Sequence, residues 1–542
     1  MEKFNLTNNI RKWYPFAYGY TKGFAFIDDR FLTERQLYDE CIFSIENNIL
    51  KSFLENLNGN FCILLFYKSK YYLIVDKLRS FPLFYTFDSK GIEIITDIGQ
   101  DIARITKNNI QFNKNAVNEL LSKGYLSGNK TLVNNIFQVE AGTCVVIEGF
   151  KIDIKRYYMF IINKKNYEKV YLFEKAKNAL ENGFKRIITS IENKPVLIPL
   201  SGGYDSRLIA CLCKKFYLEN VTCFTYGRPN SLEVINSKNV AEKLGFKWFY
   251  IEYDKAKWSQ YLNSEDYKKY AVFAGNITSV PHFQDFIALQ ELINKKLVSN
   301  NSIVMPGHSG DLLGGSKIPK IIKEERKFIM DSDLLMNLIY DEFYNLNSLK
   351  KPYKRELLQD IKTQINEYYF SEVNFLDIYE QIFITSKVSN FLVNSMRGYE
   401  YFNLEWRLPL WDDEYSHFWH SIEWEKKYFS KLYNEFMFTT YFDPLKVNFL
   451  KEITLTQTYF VSRFKKYLPM GLTSLHKKMV FMKSNIIFWK KEKNAFDDVI
   501  DILFDEKDNK RYTSVKRIRK EYMDAINALD YLKRVEKNLK IY

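Results

Sequence analysis

The stretch Val196-Leu-Ile-Pro-Leu200 runs straight into Ser201-Gly202-Gly203-Tyr204-Asp205-Ser206, and no other feature constrains this chain as much. A short continuous apolar run ending in a glycine turn reads as a strand covered on both faces, the kind found in parallel sheets. The residues that follow agree. A helix is expected from about 206 to 216, a strand at Val221-Thr-Cys-Phe-Thr225, and a helix over 234–244 closed by Gly245. A strand at Trp248-Phe-Tyr-Ile251, a long helix around 283–296 and a fourth strand at Ser302-Ile-Val-Met305 continue the alternation. This predicts an α/β fold with a doubly wound parallel sheet, preceded by a helix over 170–191 and mostly helical beyond Gly315.

The first 160 residues carry a different pattern. Phe61–Tyr67 and Tyr71–Val75 flank Lys68-Ser-Lys70, Phe84-Tyr-Thr86 and Ile92–Ile95 flank Asp88-Ser-Lys-Gly91, and 143–147 and 151–154 flank Glu148-Gly149. Paired strands around short turns predict stacked sheets with minor helices, one of them at 116–122. A chain of 542 residues has room for more than one core. We therefore expect two domains, 1–160 and 165–542.

The glycine turn also carries chemistry. Gly202 and Gly203 let the backbone come close to an anion, and the helix that follows offers unpaired N–H groups. Ser201 and Ser206 add hydroxyls. Asp205 would repel a bare phosphate, so it fits only with a divalent cation between the two, which points to a magnesium nucleotide. A second glycine-rich loop, Pro306-Gly-His-Ser-Gly-Asp311-Leu-Leu-Gly-Gly315, supplies another carboxylate. Two acids on two such loops at strand ends suit Mg²⁺ bridging phosphate oxygens. The plainer reading is a strand–turn–helix connection with Ser206 as the N-cap. Neither GxxxxGK[ST] nor GxGxxG is present.

Composition narrows the remaining classes. The net charge is +14, but the basic residues are interleaved with 65 acids. The densest run, Lys510-Arg511 and Lys516-Arg517-Ile518-Arg519-Lys520, lies in a helical-looking tail and reads as a solvated face rather than a nucleic-acid patch. The six cysteines form no CxxC pair and sit in apolar runs, as reduced buried hydrophobes do. No signal-like start and no apolar run of about 18–20 residues is present, so a cytoplasmic protein without a membrane span is expected.

The hexapeptide, its strand and Phe224-Thr-Tyr-Gly227 resemble the PP-loop ATP pyrophosphatases. Glu233 with Val240–Gly245, the second loop, and Leu404-Glu405-Trp-Arg407-Leu-Pro409-Leu-Trp-Asp412 are similar, in order, to blocks of the asparagine synthetase branch. One departure is Leu312, where that branch has Glu after the Asp. The resemblance implies ATP and Mg²⁺ as cofactors. It implies nucleotide contacts at Ser201, Gly202, Gly203, Asp205, Ser206, Thr225, Gly227, Gly307 and Gly310, and metal ligation by Asp205 and Asp311. It further implies catalytic roles for Asp205 and Glu405, with Glu405 in the acceptor site; read alone, Glu405 and Arg407 are a structural ion pair. Lys446 and Lys451 stand near the place of a lysine that the family carries further on.

The amino-terminal part resembles the family's glutaminase half, an Ntn-hydrolase-like sheet domain. The match runs through Leu57-Asn-Gly59-Asn-Phe61 and Asp76-Lys-Leu-Arg79-Ser-Phe-Pro82-Leu-Phe-Tyr85, with Val75 in place of Arg and Arg79 in place of Gly. The active glutaminase needs a cysteine at the very N-terminus, whereas here Glu2 stands at position 2 and the first cysteine is Cys41. Loss of glutamine hydrolysis is therefore expected. The implied reaction joins a small-molecule or glycan carboxylate, activated as its adenylate, to ammonia or an amine. A homodimer is compatible with this reading. The alternatives are a tRNA-modifying PP-loop enzyme and a non-catalytic scaffold that keeps the fold.

Overall fold

The computed structural model describes residues 3–6, 13–88, 91–106, 110–319, 331–368, 374–449, 496–504, 511–519 and 522–539. The amino-terminal part builds two sheets. The larger one runs in the order Lys151–Arg156, Thr143–Glu148, Lys70–Val75, Asn58–Tyr67, Gly19–Ile27, Tyr14–Phe16, with Arg30–Leu32 also paired to Gly19–Ile27. All of its pairings are antiparallel. The smaller sheet is Phe4–Asn5, Gly91–Thr96, Phe84–Asp88 and Ile136–Gln138.

Asn58–Tyr67 shows why this stretch reads as one apolar run. Phe61, Ile63 and Leu65 pack beneath the helices Glu34–Glu46 and Leu50–Asn56, while Cys62 and Leu64 face the main core. Alternate side chains are thus buried on opposite faces, and neither set can be polar. The helix expected at 116–122 spans Lys114–Lys123, with Asn113 accepting from the Ala116 N–H and Gly124 in the left-handed region.

The carboxy-terminal part holds a five-stranded sheet, in the order Lys247–Glu252, Val221–Gly227, Val196–Pro199, Ile303–Val304, Glu405–Trp406. Every pair in it is parallel. The expected doubly wound α/β fold is therefore present, with a fifth strand supplied by the Leu404–Asp412 block. Strand order reverses beside Val196–Pro199: the next two strands lie on one side and the later two on the other. In open parallel sheets such a switch point opens a crevice at the carboxyl ends of the strands, because the outgoing connections diverge to opposite faces.

Some expectations shift. The helix expected over 283–296 covers only Phe286–Asn294, and Lys255–Leu262 and Glu265–Gly275 precede it as two further helices. The basic stretch read as helical instead forms the strand Val515–Arg517, antiparallel to Ser348–Leu349; Lys510 and Lys520 lie outside the described residues. Arg519 is engaged in packing, donating to the Asn345 carbonyl at 2.8 Å and lying over the Tyr522 ring. All six cysteines are buried, with no disulfide. Among the described residues, no helix is long and apolar enough to cross a membrane.

One hydrophobic core runs through both parts, holding Leu64, Leu73 and Tyr85 together with Leu197, Ile198 and Phe224. Polar contacts between the parts are spread over several elements, and one group of them lies at the Leu404–Asp412 block and its flank. Within the carboxy-terminal part Arg186 grips Asp412 through two nitrogens, at 2.7 and 2.9 Å, and it reaches across to Asp29 at 2.9 Å. Asn58 donates to the same carboxylate at 2.8 Å and accepts from the Asp413 N–H at 3.2 Å. Lys77 pairs with Asp413, and Arg397 donates to the Ser80 carbonyl at 2.6 Å.

Candidate functional site

Val196–Pro199 delivers the first glycine loop to the crevice, and the adjacent strand Ile303–Val304 delivers the second. The helix after the first loop starts at Tyr204 with Gly203 as its N-cap, so Asp205 lies in its first turn. Ser206 is therefore not the cap. Its hydroxyl turns back beneath the loop, 3.1 Å from Ser201 Oγ, and accepts from the Ser201 N–H at 3.2 Å. Ser201 Oγ in turn accepts from the Gly203 N–H at 3.1 Å. The loop is held in a closed shape by its own hydroxyls, with Ser201 exposed and Ser206 buried. Arg207 ties it to the later chain by donating to the Val447 carbonyl at 2.9 Å and the Gly202 carbonyl at 3.4 Å.

The glycines explain how closely the two loops meet. A Cβ on Gly307 would lie 2.1 Å from the Ser206 nitrogen and 2.5 Å from the Asp205 carbonyl carbon. A Cβ on Gly310 would lie 2.2 Å from the Tyr433 hydroxyl and 2.9 Å from Asp205 Oδ1. The space that a side chain would take at either position is already filled by protein. These two glycines, expected to admit phosphate, serve loop-to-loop packing with their missing side chains. Gly314 likewise packs on the Tyr433 ring. Gly227 differs: its φ of +138° sets the turn, and its Cβ direction is open. Thr225 is buried in the same strand.

Asp205 and Asp311 come together in the crevice. Asp205 Oδ2 accepts from the Asp311 N–H at 3.1 Å, and Tyr433 donates to Oδ1 at 3.3 Å. Burial and then the charge of Asp311 push the Asp205 carboxyl up to about 7, although these donors favour its ionised form. Among the described residues, neither carboxylate is in an ion pair. A divalent cation would offset their charge, and Mg²⁺ is commonly held by one or two carboxylates plus phosphate oxygens. No cluster of three metal-ligating side chains occurs among the described residues. Tyr433 was not singled out from the sequence; nothing in its local pattern distinguishes it from the chain's other 38 tyrosines, since the total is 39.

Glu405 does not join this cleft. Its strand starts level with Ile303, which starts level with Val196, so Glu405 sits at the amino end of the sheet. Ser201 lies five residues further along from Val196, a rise of roughly 16 Å at about 3.3 Å per residue. There Glu405 pairs with Lys194 at 2.8 Å and with Arg407 at 3.3 Å. The structure thus shows Glu405 in an ion pair, apart from the two carboxylates. Lys446 is described, in the left-handed region at φ 55°, whereas Lys451 lies outside the described residues.

Two family matches follow the same order as the two parts. Residues 39–158 match the glutamine amidotransferase domain, and residues 180–434 match asparagine synthase. This is an asparagine synthetase-like chain. One curated relative is the putative asparagine synthetase [glutamine-hydrolyzing] 2 of Methanocaldococcus jannaschii, 27% identical over 197 residues. The alignment covers 34% of this chain and 36% of that relative, so it spans about a third of the relative's length. Among solved structures, the NH3-dependent NAD synthetase of Campylobacter jejuni is 18% identical, with a TM-score of 0.20 over 39% of this chain and 100% of that one. The NMN synthetase of Francisella tularensis is 15% identical, with a TM-score of 0.19 over 40% and 92%.

The glutaminase-like motif in this asparagine synthetase-like chain keeps its turn. Asp76 accepts from the N–H groups of Phe61, Leu78 and Ser80 at 3.1, 2.8 and 3.1 Å, which shapes the turn. Arg79, where the family has glycine, holds φ at 55°, a left-handed conformation that costs a side chain about 1 kcal/mol or more. Asn58 and Gly59 border a cavity of about 30 Å³ that Asp412 and Asp413 also line. That is room for a water or two. Glu2 lies outside the described residues.

Proposed function

We propose that the chain is an ATP-dependent, AMP-forming carbon–nitrogen ligase that activates a carboxylate and passes the acyl group to ammonia or an amine. The observation that carries this is the meeting of Asp205 and Asp311 at the switch point, joined by a hydrogen bond across two glycine loops. In this reading the two carboxylates hold Mg²⁺, which would neutralise the departing pyrophosphate. The exposed Ser201 hydroxyl and the first-turn N–H groups of Tyr204–Lys215 face the nucleotide phosphates. Residues from 165 onward form the synthetase unit. Residues 1–160 buttress it without hydrolysing glutamine, a role supported by the buried cysteines and the small size of the cavity beside Asn58. A cytoplasmic setting belongs to the same reading.

The decisive experiment measures pyrophosphate release from Mg-ATP with a panel of amino acids and sugar acids, with and without ammonia. Release that depends on one acid is expected. Asp205→Asn should lower it by at least about 100-fold, the scale of losing a main electrostatic stabiliser. Release at the wild-type rate in that variant would refute the site.

A further inference from the structure

A second cluster of titratable groups lines the same end of the sheet, and the ligase reading leaves it unused. His308 lies on the second loop, three residues before Asp311, and is partly exposed. Its neighbour Gly307 is pressed against the start of the Tyr204–Lys215 helix, so the backbone leading into His308 runs beside the first loop. Its Nε2 is 3.0 Å from Ser395 Oγ. Ser395 has one proton, and that proton is directed to the Leu392 carbonyl at 2.6 Å. Ser395 Oγ can then only accept, so His308 carries its proton on Nε2 and a lone pair on Nδ1.

The surroundings keep the ring ready to accept a proton. Burial holds the His308 imidazole below its usual value against the opposing pull of Asp285, so it is neutral near pH 7. Both oxygens of Asp285 are occupied, one by the Tyr226 hydroxyl and the other by the Tyr399 hydroxyl at 2.6 Å. Asp285 is therefore fixed in place as a charge that favours imidazolium once a proton arrives. His282, held down to about 4 chiefly by burial, stays neutral and does not compete for it.

We propose that His308 Nδ1 is the base that takes the proton from the nitrogen nucleophile in the second half-reaction, with Ser395 fixing its tautomer. This rests on the ligase reading above. As nitrogen attacks the acyl carbon of the adenylate, the C–N bond forms and the acyl C–O bond to phosphate breaks. AMP leaves with that electron pair, and the nitrogen's proton passes to Nδ1. Ser395 is a positioning residue, acting only through the ring.

The test separates the two halves. His308→Gln keeps an N–H for Ser395 but has no basic nitrogen. In ATP–pyrophosphate exchange, run with whichever acid of the panel supports it in the wild type, this variant should stay within about 2-fold. Amide formation with ammonia should fall about 100- to 10,000-fold, the usual value of a general base. Hydroxylamine, nucleophilic while neutral and weakly basic, should still trap the acyl group as hydroxamate. Unchanged amide formation in His308→Gln would overturn the proposal. If exchange is lost as well, Ser395→Ala decides: exchange intact with transfer lowered about 10-fold supports the proposal, and transfer unchanged overturns it. Absence of exchange with every acid in the wild type would instead remove the ligase reading, and this inference with it.

Discussion

At the scale of single residues, the site is governed by two carboxylates that repel each other. A carboxyl raised to about 7 in the fold binds its proton more tightly there than in the unfolded chain. Its sign is fixed by linkage: the folded state is favoured below the unfolded carboxylate range, near 4, and loses stability as pH rises from there through about 7. Without metal, Asp205→Asn should therefore melt higher than wild type at pH 8, by roughly 1–3 °C, and level with it at pH 4. Saturating Mg-ATP should reverse the order at pH 8, because only the carboxylate can hold the cation. Differential scanning fluorimetry at the two pH values checks both statements. Gly310→Ala drives a methyl group into the Tyr433 hydroxyl and Asp205. It should cost about 1–3 kcal/mol, the range for overpacking, and abolish pyrophosphate release. Tyr433→Phe should return part of the stability, since it removes the atom nearest to the new methyl.

At the scale of elements, the sheet sorts side chains by height. Carboxyl ends carry the loops, and amino ends carry ion pairs. Glu405→Gln weakens the contacts of a part-exposed carboxylate with the part-exposed Lys194 and the buried Arg407. It should change pyrophosphate release and amide formation less than about 3-fold and cost about 1 kcal/mol or less. A loss of acyl transfer alone would restore Glu405 to the acceptor site. Height is the property that hexapeptide and block matching cannot supply. Leu404–Asp412 was legible as a motif, but its place at the far end of the sheet follows from pairing Glu405 with Ile303.

For the whole molecule, the buried Arg186–Asp412 pair sits beside one of the contacts that join the two parts, the bond from Asn58 to Asp412. Arg186→Met leaves that carboxylate without its bidentate partner and should cost about 3–5 kcal/mol, read from a shifted chemical denaturation midpoint. Glutamine supplied in place of ammonia should give no amide above the ammonia-free background. Efficient use of glutamine would refute the buttress role of residues 1–160.

Local sequence determined a great deal. The continuous strand Val196–Pro199, the alternation to Lys247–Glu252, the hairpins of the first part and the left-handed Gly245 all follow from short-range rules of burial and backbone freedom. These act within a dozen residues and leave a pattern that can be read directly. Tertiary structure alone decided the fifth strand, the bond from Asn58 to Asp412, the role of Tyr433 and the purpose of Gly307 and Gly310. Each depends on residues about a hundred or more positions apart meeting in space. A glycine kept to admit a phosphate and one kept to admit a tyrosine hydroxyl look the same in the chain, and only the neighbour that fills the space tells them apart.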